Sequence, residues 1–362
     1  MATRETVVVT GIAGNLGLRL LPLLSDFEVV GVDMRAPTSV SLKAFCQADL
    51  GEEASCHQLV ELIRDTAATA IVHLAFVIDP QRTGVLDVKR MWQINVAGTA
   101  RVMEAISEIN RRGGTRVRKF IFPSSVSAYG SETNGPVKED APLQAHTLPY
   151  AIHKRESDDV VRYRSDMMGD CATYILRPHI FTGASMQNYL VGALRGTPTG
   201  TGELGKKWRA EGRRLPLMLP FGDEYPQKEY QFVHVDDMAR LISFILRRQD
   251  KPGEQIILNV AGRGPALTLQ RCAEIANAKV VRLPKFLCRH VLQYLWNRGI
   301  SAIPPDALPY MIGSYTMNTE KLRSFLGSEY ENLMRYTCEE ALADSFRTES
   351  ETERPAAQTQ PV

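Results

Sequence analysis

The six cysteines (Cys46, Cys56, Cys171, Cys272, Cys288 and Cys338) include no C-x-x-C pair, and no histidine or cysteine cluster has metal-ligand spacing. This excludes the common zinc and dithiol motifs and a disulfide framework, and leaves the cysteines as buried thiols of a reducing compartment. No apolar run reaches the roughly 20 residues of a membrane span; residues 67–78 come nearest, and His73 interrupts them. The first residues pass into a strand pattern without an apolar segment and cleavage site, so a soluble cytoplasmic protein is expected. Charge of one sign is also missing: 43 Lys+Arg against 41 Asp+Glu leave a formal net charge of +2. Neither an extended nucleic-acid face nor a membrane-binding surface follows from that balance. No internal repeat is seen.

What remains is an ordinary globular mixture of 362 residues, 44% hydrophobic and 23% charged, too long for one simple core. Apolar, β-rich runs at residues 6–10, 27–32, 70–75, 119–123 and 173–176 alternate with helical patterns. That alternation predicts an α/β fold, a Rossmann-type doubly wound parallel sheet covered on both faces. The rhythm breaks after residue 178, and residues 196–226, rich in Gly, Pro and Arg, read as an irregular lobe. Regular structure resumes at residue 231, where Asp236 and Asp237 are placed to cap a helix, and a further strand is expected at 255–260. The expected layout is a nucleotide-binding domain over residues 1–178, also recruiting 231–260, a smaller substrate lobe from 179–230 and 261–347, and a disordered polar tail over 348–362.

The first strand ends in Thr10-Gly11-Ile12-Ala13-Gly14-Asn15-Leu16-Gly17, followed by a helical run. Glycines at this spacing permit a tight turn and close backbone approach to a pyrophosphate at a helix N-terminus. The second strand ends in Asp33, about where a carboxylate accepts from adenosine ribose hydroxyls; Arg35, two residues on, can reach the same ribose. These signals together predict a dinucleotide, NAD in preference to NADP.

Further along, Tyr150-Ala-Ile-His-Lys154 sets a phenol and an ammonium four residues apart, on one face of a helix. A neighbouring cation favours phenolate, so Lys154 is expected to lower the pKa of Tyr150 and fit it for proton exchange with an alcohol or carbonyl. Before it, a strand runs into Ser124-Ser125-Val-Ser127-Ala-Tyr129-Gly130. Ser127 reads as turn chemistry. His73 and His234 read as satisfied structural histidines, and His153, beside Lys154, as pointing off the catalytic face.

Taken in order, these motifs resemble the extended short-chain dehydrogenase/reductase superfamily, of the NAD-dependent epimerase/dehydratase type. The resemblance implies catalysis by Ser125, Tyr150 and Lys154, with Ser124 as a second donor to substrate and Asn95, in Asn95-Val-Ala-Gly98-Thr99, holding a proton-relay water. It further implies cofactor contacts from Asp49 and Leu50 (adenine), from Leu74 and Ala75 after His73, and from Arg177-Pro178, whose segment closes the sheet beside the nicotinamide. By position alone, residues 186–190, with Asn188, would line the substrate pocket.

Two departures from the family pattern are seen, the first of small effect. Ala184 stands where the family usually has proline, and Tyr230-Gln231-Phe232 stands where sugar-nucleotide enzymes read Arg-Asp-Phe, so the arginine that clamps a substrate diphosphate is missing. Lys206, Lys207, Arg209, Arg213 and Arg214 are candidate replacements in the irregular segment, although such a run is also an ordinary solvated loop. The expected activity is hydride transfer at a secondary alcohol or ketone carbon of a small molecule, without a metal. A nucleotide-sugar epimerase or dehydratase and a non-catalytic NAD-binding sensor are the alternatives, and homodimerisation is left open.

Overall fold

The computed structural model describes residues 4–38, 40–78, 84–114 and 116–347; the tail expected to be disordered, 348–362, lies outside the described residues. Six strands follow one another in the first half: β1 (Thr6–Thr10), β2 (Glu28–Asp33), β3 (Ala44–Gln47), β4 (Ala70–His73), β5 (Lys119–Pro123) and β6 (Ala172–Pro178). Short strands β7 (Ile180–Thr182), β8 (Leu217–Pro220), β9 (Glu229–Tyr230) and β10 (Phe232–His234) come next, and then β11 (Gln255–Val260). Together β1–β6 and β11 form a seven-stranded sheet in the order β11-β6-β5-β4-β1-β2-β3, with every neighbouring pair parallel. Parallel neighbours require crossovers, supplied by α1 (Asn15–Leu20), α2 (Ala54–Thr66), α3 (Val88–Trp92), α4 (Gly98–Arg112) and α5 (Pro149–Arg164).

The period of two in each strand decides which helices cover which face. Val7 and Val9 join Leu20, Leu24, Leu241 and Ile245 on one side, whereas Val8 and Val30 join Leu59, Ile63, Val102 and Ile106 on the other. Burial on both faces is why these strands appear in the sequence as unbroken apolar runs. The order reverses between β1 and β4, and the crevice beyond the carboxyl ends of those strands is where an open α/β sheet binds its ligand.

Three expectations are corrected. Residues 196–226 are not irregular throughout: after α6 (Tyr189–Arg195) they hold α7 (Glu203–Ala210) and β8. Of the stretch 231–260 only β11 joins the large sheet, because β10 pairs with β7 in a separate parallel pair. The helix that follows, α8 (Val235–Arg247), is capped by His234, whose ring accepts from the Asp236 N–H at 3.1 Å. Neither aspartate caps it, since Asp236 pairs with Arg19 and Asp237 with Arg240.

Candidate active site

The turn after β1 owes its shape to two glycines. Gly11 has φ of +70°, and a Cβ there would lie 2.6 Å from the Ala75 backbone nitrogen; a Cβ on Gly17 would lie 2.5 Å from the Ile12 carbonyl oxygen. Gly14 differs: it is exposed at the start of α1, and the Gly11 carbonyl oxygen, 3.1 Å away, is the one atom a Cβ would crowd. Opposite stands Asp33, half-exposed at the end of β2, its carboxylate accepting from the Ala13 N–H at 3.0 Å and the Arg35 N–H at 3.3 Å. An open backbone cradle facing a carboxylate suits a dinucleotide's pyrophosphate and ribose. Ile12 is buried, Leu16 packs on the core, and Asn15 reaches out to the Ser185 hydroxyl at 2.9 Å.

This contrast yields a test. Gly17→Ala should cost about 1–3 kcal/mol of stability through backbone overpacking, whether or not NAD is present. Gly14→Ala should cost only about 1 kcal/mol at the helix cap while weakening NAD by roughly tenfold or more through its intrusion into the cradle. Thermal melts and NAD titrations on both variants separate the two effects; full NAD affinity in Gly14→Ala would speak against the cradle.

Around this turn the other expected cofactor contacts are unequally placed. Leu74 and Ala75 are half-buried beside it, with the Ala75 N–H bonded to the Thr10 hydroxyl at 3.2 Å. Asp49 is tied to the Gly51 N–H at 2.8 Å and ion-paired with Arg90, and Leu50 is buried in the core under Gly98. The Arg35 side chain is exposed. Arg177 departs from the expectation because its guanidinium is fully buried on Asp158, Tyr129 and the Glu139 carbonyl. From this segment it is Pro178 that reaches the cleft.

A cavity of about 380 Å³ opens where Ser125, Tyr150 and Pro178 meet residues of α6 and the C-terminal elements, large enough for a small organic ligand. Ser125 ends the extended stretch after β5, and its Oγ accepts from the Ser127 N–H at 3.2 Å and the Ser127 hydroxyl at 2.9 Å. Its own proton is left to donate, and the Tyr150 oxygen lies near enough for Ser125 to favour the phenolate. Ser124 is buried beside it with its hydroxyl unpartnered. Asn188 also lines the cavity, but its amide caps α6, accepting from the Val191 N–H at 3.0 Å.

Lys154 lies one helical turn beyond Tyr150 on α5, buried, donating to the Pro123 carbonyl at 2.7 Å and sitting 3.6 Å above the Phe76 ring centre. The expected electrostatic partnership is corrected here. Burial pushes the Tyr150 phenol up to about 12, against the hydrogen bond from Ser125, and burial likewise pushes Lys154 down to about 7, against the charge of Asp158. With Lys154 itself pushed toward its neutral form, its charge does not offset the burial of the phenol, and Tyr150 is held neutral.

Asn95 lies in a π-helical turn, Gln93–Ala97, between α3 and α4, a distortion common at functional sites. Its amide is spent on both backbone groups of Val77, at 2.7 and 3.0 Å, and on His153 Nδ1 at 3.3 Å. His153 is therefore not turned off the site: it is buried and braces Asn95. His73 is held between the Thr10 and Thr99 hydroxyls at 2.7 and 3.0 Å, and burial pushes it down to about 3, with the charge of Lys154 adding to the effect. His234 bonds Asp344 at 3.1 Å.

Tyr230, at the position of the missing arginine, is fully buried and donates to the Met311 carbonyl at 2.7 Å. Of the basic cluster, Arg209 lines the cavity, whereas Arg213 pairs with Glu211 and Arg214 donates to the Arg195 carbonyl. Among the described residues a second cavity cation is Arg195 at the end of α6, which sequence reasoning missed because it stands alone, without the density of charge that marks 206–214.

The described residues contain no helix long and apolar enough to cross a membrane and no group of three or more His, Cys, Asp or Glu able to hold a metal. The model of the NAD dependent epimerase/dehydratase family matches residues 7–261. Over 277 residues the chain is 27% identical to a UDP-glucose 4-epimerase of Azospirillum brasilense, covering 74% of this chain and 75% of that one. A UDP-glucose 4-epimerase of Pisum sativum is 24% identical over 257 residues, 66% of this chain and 71% of that one. In fold it is similar to Thermus thermophilus UDP-glucose 4-epimerase in complex with NAD, with a TM-score of 0.65 and 19% identity over 95% of this chain and 100% of that one. Streptomyces venezuelae DesIV, a dTDP-glucose 4,6-dehydratase with NAD and TYD bound, also gives a TM-score of 0.65, at 21% identity over 94% and 96% of the two chains.

Proposed function

The chain belongs to the NAD dependent epimerase/dehydratase family and is an NAD-dependent enzyme of the short-chain dehydrogenase/reductase type, and on that premise we propose that it oxidises and reduces a secondary alcohol or ketone carbon of a small molecule bound between Ser125 and the C-terminal elements. The observation that carries this is that Ser125 and Tyr150 meet at the wall of a largely apolar cavity, with Lys154 buried one turn away. NAD, when bound, supplies the hydride acceptor. Gly11–Gly17 and Asp33 would hold its pyrophosphate and adenosine ribose.

Tyr150 exchanges a proton with the substrate hydroxyl, and Ser125 donates to the substrate oxygen as charge develops on it, with Lys154 anchoring the helix turn behind them to the Pro123 carbonyl. The apolar lining excludes water from the reacting atoms. Screening alcohols, ketones and nucleotide sugars while following nicotinamide absorbance tests the reading. Net absorbance change marks a dehydrogenase, and product without it marks an epimerase or dehydratase. The relatives named UDP-glucose 4-epimerase favour transient over net oxidation, and the buried Tyr230 weighs against their type of substrate.

Cofactor choice gives a separate expectation. The Asp33 carboxylate can accept from both ribose hydroxyls and repels a 2′-phosphate, so NAD should bind more tightly than NADP. Asp33→Ala should weaken NAD roughly tenfold or more and narrow the preference, as calorimetric titration with both dinucleotides would show. Tighter binding of NADP by the unaltered protein would contradict this role for Asp33.

A further inference from the structure

The cavity beside Tyr150 carries a statement about its substrate that rests on the reading above and extends it. Its walls include Val126, Leu148, Phe181, Leu190, Ile303 and Met311. Four of the polar side chains among them are engaged within the protein. Tyr310 donates to the Ser127 carbonyl at 3.1 Å and Tyr315 to the Tyr310 carbonyl at 2.9 Å. His179 has the Ile180 N–H at 2.9 Å on one ring nitrogen and the Tyr315 carbonyl at 3.3 Å on the other. Asn188 spends its amide on the Phe181 carbonyl and the Val191 N–H. A polyhydroxylated sugar needs a partner for each hydroxyl it buries, and these four side chains, already engaged, are not free to serve as such partners.

Charge is distributed just as unevenly. Among the described residues no aspartate or glutamate lines the cavity, while Arg195 and Arg209 do. Arg195 is half-buried and donates to the Ser345 carbonyl at 2.6 Å; Arg209, exposed at the edge, donates to the Pro198 carbonyl at 2.6 Å and the Gly200 carbonyl at 3.4 Å. Neither guanidinium has a carboxylate within salt-bridge reach among the described residues. Each keeps N–H donors beyond these contacts, since a guanidinium has five. Burial without a compensating acid pushes the Arg195 pKa down, a cost that an incoming anion relieves.

The geometry points to a substrate with an apolar body, a secondary alcohol or ketone at Tyr150 and one anionic group, a carboxylate or a phosphate monoester, met by Arg195 and Arg209 in place of the arginine that Tyr230 displaces. Such a ligand matches the walls without stranding sugar hydroxyls and neutralises the two cations that lack acids.

The test is calorimetric binding to the NAD-loaded protein of dodecanoate, dodecyl phosphate, dodecan-1-ol and UDP-glucose. One or both dodecyl anions should bind roughly tenfold or more tightly than the alcohol, and which of them leads distinguishes carboxylate from phosphate. Arg209→Met and Arg195→Met should each remove most of that advantage and leave dodecan-1-ol unchanged. Should Arg195→Met fail to fold, Arg195→Lys and the exposed Arg209→Met still report. The proposal is overturned if neither anion binds, if the alcohol binds as well as the anions, if the arginine variants bind the anions like the unaltered protein, or if UDP-glucose binds more tightly than both dodecyl anions. Binding does not require turnover, so Tyr150→Phe protein should give the same preferences, and a failure of the catalytic reading is read separately from a failure of this one.

Discussion

Turnover should fall by roughly 10²–10⁴ when Tyr150 is replaced by phenylalanine, with NAD affinity nearly unchanged. The substitution keeps the ring, which packs edge-on against Phe76 with centroids 5.9 Å apart, and removes only the oxygen that Ser125 faces. Folding and the cavity wall should therefore survive, and the loss should appear in kcat. Because burial holds the phenol up to about 12, the two directions of reaction should differ in pH dependence. Alcohol oxidation needs the deprotonated oxygen as base, so its rate should climb with pH through the neutral range by about tenfold per pH unit. Ketone reduction uses the neutral phenol and should not climb with it. Lys154→Met should impair both turnover and cofactor binding. Near-normal turnover of Tyr150→Phe on an authentic substrate would remove the acid/base role from this residue.

The elements most legible in the sequence are those whose pattern is imposed by burial on both sides. β1, β5 and β11 stand where their apolar runs stand, whereas β3 (Ala44–Gln47), only partly buried where the other edge strand β11 is largely buried, has no such run for the sequence to show. Tyr150 and Lys154 were legible because a separation of four residues places side chains on one helix face. What surrounds Lys154 was not, since Phe76 and the Pro123 carbonyl come from segments far away in the chain. His153 shows the limit of the same helical argument: its side chain leaves α5 in a different direction from that of Lys154, but that direction leads to the π-helical turn carrying Asn95 and so back to the site. Arg177 was legible as a motif, but its inward turn depends on Tyr129 and Glu139 closing around it.

That inward turn sets the largest expected loss of stability. Asp158 and Arg177 are both fully buried and meet through two parallel hydrogen bonds of 2.9 and 2.8 Å, the geometry that suits a guanidinium to a carboxylate. Arg177 also donates to the Tyr129 hydroxyl and the Glu139 carbonyl, both at 2.7 Å, and Tyr129 passes the chain on to Asn259 at 2.8 Å. Burial works against the arginine's charge, but the hydrogen bonds and charge of Asp158 outweigh it and hold its pKa above the ordinary value. Asp158→Asn keeps the shape and strands that cation, which should cost about 3–5 kcal/mol. Replacing both residues by apolar ones, Asp158→Leu with Arg177→Met, should recover part of the loss, because no unpaired charge is then buried. The effect should also reach the chemistry. α5 buries His153, Lys154, Ser157 and Asp158 alongside only Ala151 and Val161, so its seat on the sheet depends on satisfied polar contacts more than on apolar packing. Loosening the Asp158 end also removes the charge that opposes the desolvation of Lys154, so Asp158→Asn should lose turnover at temperatures where it is still folded. Urea titrations and rates measured below the transition would show both losses; an Asp158→Asn protein as stable as the unaltered one would mean that the pair is not what anchors Tyr150 to the sheet.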